Sequence, residues 1–446
     1  MHSFRYRNGQ LHCEDVDLGC VAEKFGTPLY VYSAGTILDH YHRLDATLAP
    51  LDHQIGYEVK ANSNRSILKL LAEAGAGFDI VSGGELYRVL AAGGDPAHCT
   101  FAGVGKSREE IEYALEKRVY CFNVESEAEL DYIDKIAGAK NLRAPIALRA
   151  NPDVDPQTHD YISTGSHENK FGIALDRIAA VYERAAEKSN IDVVGAQMHI
   201  GSQITEAAPF ADAIKKVVPI VRDLKSKYGI KFFSVGGGLG IVYESSFESG
   251  AKEWWDSRAH KSKSLSIRQY VDAILPSLRE LKLRILLEPG RLLVGNAGVL
   301  LTRVRYIKRT GAKKFAIVDA GMNDLIRPAL YHSYHEIVPV EEPRCRASAA
   351  ADATAGNKTE TIDIVGPVCE SGDFFALDRE MPELREGDLL AIMSAGAYGF
   401  VMASNYNSRS LPAETLVRGD KFALIRKRQP IEDLVRDEID PQWEGD

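Results

Sequence analysis

Short runs rich in Val, Ile, Phe and Leu recur between about residue 55 and residue 291, and segments with the period of amphipathic helices separate them. The runs end near Lys60, Ser82, Gly103, Asn123, Asn151, His199, Gly236 and Glu288. Helical patterns such as Ser66 to Ala74, Gly84 to Ala92 and Arg108 to Glu116 follow the first three. Eight strand-helix units in roughly 235 residues match a (β/α)8 TIM barrel in number and length. An open doubly wound sheet is the competitor, because periodicity does not show closure. After Arg291 the texture changes to short alternating segments, Leu301 to Tyr306, Phe315 to Asp319, Thr361 to Val365 and Leu389 to Met393, with Gly, Pro and Asp at the turns. These predict a C-terminal antiparallel β domain, barrel-like in outline, and the strand-like run Pro28 to Ser33 is expected to join it. The predicted class is α/β plus all-β, with residues 36–296 as the barrel and residues 1–35 and 297–446 as the β domain.

A chain of 446 residues exceeds what one core usually holds, which agrees with two domains. The net charge of -9, with basic residues scattered rather than blocked, argues against a nucleic-acid partner. No stretch approaches the roughly 18 apolar residues of a membrane span, and no secretory signal is read at the start. Six cysteines without a CxxC pair predict a reducing, cytoplasmic setting, and neither a zinc site nor a disulfide framework. Two gaps after strands are long, Pro152 to Ile173 and Tyr243 to Ser266, and both are expected over the barrel mouth. Trp254 and Trp255 in the second either line the entrance or, more readily, pack that loop onto the barrel. The small-residue run Arg346 to Lys358 reads as a surface loop.

Polar and glycine-bearing residues gather just after the strands, where a barrel carries its chemistry. Lys60, in Tyr57-Glu58-Val59-Lys60-Ala61-Asn62, has a dry stem and a reachable amine; it either reaches solvent or forms a Schiff base. Gly236-Gly237-Gly238-Leu239-Gly240 is either a tight turn or a phosphate cradle, and it is not the GxGxxG of a dinucleotide fold. Glu288, emerging from an apolar run, needs a partner: Arg291 alone, or the protonated ring nitrogen of a cofactor. His199 is a structural histidine or a flat face for an aromatic ligand. Asp79 orients other groups, and Glu85 does so or caps the following helix. Neither His199 nor Asp79 has metal-like spacing to partners, so no metal is expected. Together these groups describe a site for pyridoxal 5'-phosphate, an electron sink for amino-acid chemistry.

In this order, YEVKAN, FDIVSGGE, ENKFGI, HIGSQI, GGGLG, EPGR, DAGMNDLIRPALY, GPVCESGD and MSAGAYG resemble the motifs of the barrel-fold (fold type III) pyridoxal-phosphate-dependent decarboxylases, in the branch acting on diaminopimelate. The likeness runs from Gly26 to Arg409. It implies a PLP-dependent carboxy-lyase of lysine biosynthesis that decarboxylates meso-2,6-diaminopimelate at its D-centre to L-lysine and CO2. Lys60 then resembles the Schiff-base lysine, His199 the ring-stacking histidine, and Gly238, Glu288, Gly290 and Arg291 the cofactor-holding loops. Tyr398 resembles a tyrosine that reaches phosphate or substrate. Arg291, Arg327 and Tyr331 resemble the group for the distal carboxylate, and Glu370 the partner of the distal ammonium. Cys369 resembles a cysteine lent by the second subunit of a homodimer with shared active sites, and Cys369 or Lys60 would return the proton. An arginine for a second carboxylate favours diaminopimelate over ornithine, arginine or lysine; carboxynorspermidine is the nearest rival substrate. Alanine racemase would place arginine rather than Glu288 at the ring nitrogen, and a noncatalytic carrier could dispense with the C-terminal domain. Glu58 and Gln197 depart from the small or apolar residues more usual at their positions.

Overall fold

In the computed structural model, which describes residues 1–154, 170–257, 264–311, 313–342 and 359–443, the eight apolar runs form eight parallel strands. They are β1 (His53–Glu58), β2 (Gly77–Ile80), β3 (Cys99–Phe101), β4 (Cys121–Val124), β5 (Ala144–Asn151), β6 (Ile191–Met198), β7 (Phe232–Ser234) and β8 (Arg284–Leu287). Each pairs with the next, and β8 pairs with β1 through Ile285 and His53, so the sheet closes and the open-sheet alternative is excluded. Helices Arg65–Glu73, Gly83–Ala91, Arg108–Lys117, Glu127–Ala139 and Ile267–Arg279 start on Asn or Ser N-caps. Such caps satisfy the first free amides and set the direction in which each strand-to-helix loop leaves. The helix after β8 is short, Arg291–Val294, and the longer helix Ala34–Leu48 packs beside it through His40 Nδ1, 3.1 Å from the Leu293 carbonyl. Inside the barrel Cys121, Ala147, Phe232 and Leu286 fill an apolar layer.

By its contacts the chain divides into two compact units: Thr36–Val242 with Asp256–Asn296, and Met1–Gly35 with Tyr243–Trp255 and Ala297–Asp446. In the second, the long strand Gly298–Thr310 pairs antiparallel with Lys313–Val318, Leu389–Ile392 and Leu29–Ser33. The early strand thus joins the C-terminal sheet, as its alternation suggested. Two pairings are parallel, Phe315 with Asp363 and Leu29 with Ala413, which a reading of alternation alone does not distinguish. Tyr243–Trp255 belongs to the β unit, where Ser246 Oγ and the Phe247 amide donate to Glu336 and Phe247 meets the Tyr6 ring at 5.2 Å. Most of the Pro152 to Ile173 gap and the whole Arg346 to Lys358 run lie outside the described residues. No described helix is long and apolar enough to cross a membrane.

Candidate active site

Lys60 lies in a single 3-10 turn, Val59–Ala61, directly after β1, and the buried Val59 and Ala61 anchor it on both sides. Its side chain keeps 48% of its surface exposed, and its amine sits 2.8 Å from the Glu58 carboxylate. The stem is fixed and the amine remains reachable, as a covalent role requires.

Glu288 follows β8 and is buried, where Ser234 Oγ donates to it at 2.6 Å and Gln197 Nε2 at 3.1 Å. Burial pushes its carboxyl above the usual range; the hydrogen bonds from Ser234 and Gln197 oppose that shift, Glu58 adds to it and Arg149 opposes it. Gln197, noticed in the sequence only as unusual, is therefore a partner of Glu288. Asp79 lies in β2, accepts from Thr100 Oγ1 at 2.7 Å, and is raised well above its ordinary value by burial and then by Glu288 and Glu58. Ser82 caps the helix Gly83–Ala91 by accepting from the Glu85 amide at 3.2 Å, while the Glu85 carboxylate accepts from the Val81 amide at 2.7 Å.

His199 leaves the end of β6. Burial, and then the charges of Arg149 and Lys60, hold its imidazole well below the ordinary value, so the ring is neutral. The Gly237 amide donates to its Nδ1 at 3.2 Å, which puts the ring proton on Nε2. Gly236 and Gly238 have φ of 71° and 102°, in the region that favours glycine. A Cβ on Gly237 would collide with the Glu288 carbonyl, and one on Gly238 with that of Gly201. Ile204 laces the glycine run to the loop after β6, donating to Gly238 O at 2.9 Å and accepting from the Gly240 amide at 2.9 Å. Arg291 Nη2 donates to Ser202 Oγ in that same loop at 3.0 Å. Gly290 also follows β8, so Lys60, His199, Gly238, Glu288, Gly290 and Arg291 all follow barrel strands, while Asp79 lies within β2.

The remaining candidates lie in the β unit. Arg327 is buried, donates from Nε to His335 Nε2 at 3.3 Å and from Nη2 to Ser333 Oγ at 3.2 Å. Its guanidinium lies 5.7 Å from the Tyr331 ring centre and 5.3 Å from that of Tyr243. His335 Nδ1 lies 2.8 Å from the Met393 carbonyl, to which it donates, leaving Nε2 to accept from Arg327. The sequence pointed to Arg327 and Tyr331 together but missed Tyr243 and His335. Tyr398 holds φ at 54°, an uncommon value for a bulky residue and one associated with functional turns. Cys369 and Glu370 are exposed; the Cys369 amide donates to Asn407 Oδ1 at 2.9 Å and Tyr406 donates to Glu370 at 2.7 Å. The buried Asp373 fixes their loop by accepting from the amides of Val368 and Met322, each at 2.6 Å.

Among the described residues no three His, Cys, Asp or Glu side chains gather as a metal site. A reachable amine, a neutral imidazole face, a buried carboxyl and a glycine run without room for side chains fit pyridoxal 5'-phosphate. That fit defines a pyridoxal-phosphate-dependent enzyme on a barrel, and residues 34–295 match the family model of the pyridoxal-dependent decarboxylase, pyridoxal binding domain. Over 435 residues the chain is 49% identical to the diaminopimelate decarboxylase of Pseudomonas aeruginosa, covering 97% of this chain and 98% of that one. The Vibrio cholerae diaminopimelate decarboxylase is 47% identical over 437 residues, with coverage of 97% and 98%. Among solved structures, diaminopimelate decarboxylase from M. jannaschii in co-complex with L-lysine superposes with a TM-score of 0.87 at 36% identity, covering 98% of each chain. The Helicobacter pylori enzyme complexed with L-lysine gives 0.85 at 39% identity, covering 94% of this chain and 98% of that one. The chain belongs to the diaminopimelate decarboxylase family, and its cofactor is pyridoxal 5'-phosphate.

Proposed function

We propose that this chain decarboxylates meso-2,6-diaminopimelate at its D-centre, giving L-lysine and CO2. The observation that carries the substrate class is Arg327, a buried guanidinium between two tyrosine rings, suited to a carboxylate beyond the reacting centre. A diamine-forming substrate such as ornithine has no second carboxylate for it. Relatives at 36% and 39% identity hold L-lysine in their crystals, which is the product of this reaction.

When bound, pyridoxal 5'-phosphate supplies the electron sink that takes up the bonding pair left by CO2. Lys60, with its reachable amine, would be the residue that holds the cofactor covalently between turnovers. Glu288, deep and dry, is assigned to the ring nitrogen, where it holds a proton. His199 would offer its ring face to the cofactor, and Asp79, Gly238, Gly290 and Tyr398 would help to hold it. Arg291, Arg327 and Tyr331 take the distal carboxylate, and Glu370 the distal ammonium. Cys369, lent by a second copy of the chain in a homodimer, or Lys60 returns a proton to the reacting carbon. Purified, cofactor-loaded Lys60→Ala tests the covalent assignment. The visible absorbance of the lysine-bound cofactor should vanish, and an unchanged spectrum would refute it.

A further inference from the structure

We infer that Glu58 is a positioning residue for Lys60: its carboxylate holds that amine as an ammonium ion whenever Lys60 is not bonded to the cofactor. The inference rests on the assignment of Lys60 as the cofactor-bonding lysine. Glu58 ends β1, only 7% exposed, with Oε2 2.8 Å from Lys60 Nζ and Oε1 buried without a hydrogen-bond partner among the described residues. A carboxylate placed this deep is costly unless paired, and Lys60 is its ion-pair partner. Gly290 makes the room: a Cβ there would lie 2.9 Å from Ala61 Cβ, and 3.1 and 3.2 Å from Glu58 Cβ and Cγ. The Glu58 amide also donates to the Pro289 carbonyl at 3.2 Å, so the Glu288-Pro289-Gly290 turn clamps the residue.

The other acids around the amine are committed elsewhere: Asp79 to Thr100, Glu85 to the Val81 amide, Glu288 to Ser234 and Gln197. Burial raises all three carboxyls, which makes them poorer counter-ions. The nearby cations are Arg149, which acts with Lys60 on His199, and Arg88, which acts with it on Glu85. Glu58 is thus the carboxylate left to face the amine. Capture of an aldehyde needs a neutral amine: Nζ sheds a proton to solvent, the carbon–nitrogen bond forms, and the aldehyde oxygen leaves as water. An anion 2.8 Å away delays that loss near neutral pH. The same anion keeps a proton on Lys60 after a substrate amine has displaced it.

The test uses full-length protein stripped of cofactor and follows capture of pyridoxal 5'-phosphate by the growth of visible absorbance at about pH 7 and about pH 10. Glu58→Gln and Glu58→Ala, checked for folding by melting temperature, should capture about tenfold faster than wild type at the lower pH. That factor is the low end for an opposite charge, because the amine is half exposed. The gap should only begin to narrow at the higher pH, where the lysine starts to lose its proton in the variants first, and Glu58→Asp should stay near wild type throughout. Equal or slower capture by the Gln and Ala variants at neutral pH overturns the inference. Lys60→Ala separates the two readings: a band that forms without Lys60 refutes the lysine assignment, whereas a Lys60-dependent band with no effect of Glu58 refutes only this inference.

Discussion

Removing the carboxylate of Glu125 should damage the barrel more than any surface change. Glu125, 3% exposed just after β4, accepts from Arg149 Nη1 at 3.0 and 3.3 Å and from the Gly172 amide at 2.9 Å. Arg149, 6% exposed near the end of β5, also donates to the His199 carbonyl at 3.4 Å and covers the Phe171 ring at 4.9 Å. The pair therefore ties together the ends of three strands and the chain at Phe171 and Gly172. In Glu125→Ala the arginine is left buried without its anion, a loss of about 3–5 kcal/mol. For a unit of roughly 250 residues each kcal/mol moves the melting temperature by about 2–4 °C, so a fall of about 10 °C is expected. Differential scanning calorimetry of cofactor-loaded protein measures it. The double variant Glu125→Leu with Arg149→Met buries no charge and should recover most of the stability, because desolvation offsets much of what such a pair contributes. A Glu125→Ala melting temperature within about 2 °C of wild type would refute the reasoning.

Arg327→Lys keeps the charge but loses the planar fork, so KM for diaminopimelate should rise by at least about tenfold, with kcat changed less; steady-state kinetics checks this. Burial, with repulsion from Glu58, raises the Glu85 carboxyl from 4.5 to about 7. The folded chain then holds a proton that the unfolded chain has lost, so this contribution is complete below about pH 4.5 and disappears as pH rises through 7. At 1.36 kcal/mol per pH unit it amounts to at most about 3 kcal/mol. Glu85→Gln retains an acceptor for the Val81 amide and should gain stability relative to wild type between pH 5 and 8.5, whereas a constant difference in melting temperature would contradict the assignment. If two copies share each site and Cys369 is the proton donor, inactive Lys60→Ala and Cys369→Ala proteins, once dissociated and remixed, should regain about a quarter of wild-type activity through heterodimers with one intact site.

Eight strand ends were legible because a parallel strand covered on both faces reads as an apolar run, and the first polar residue after it marks the mouth. Lys60, His199 and Glu288 stand out by this rule, whereas Arg149 and Gln197 lie inside strands and look like interruptions of the apolar pattern. Their partners, Glu125 and Glu288, come from other strands, so only the closed sheet brings them together. Tyr243 was hidden for a related reason: it follows β7 in sequence, yet it packs on Arg327 in the β unit. The parallel pairings of that unit depend on strand order, which alternation does not encode.

The most direct test of the account is CO2 release by purified, cofactor-loaded protein supplied with meso-diaminopimelate, with L-lysine and L-ornithine as controls. The account predicts CO2 and L-lysine from diaminopimelate and none from the controls. Release from ornithine alone would contradict the role given to Arg327, and no release from any of the three would contradict the assignment of a decarboxylase.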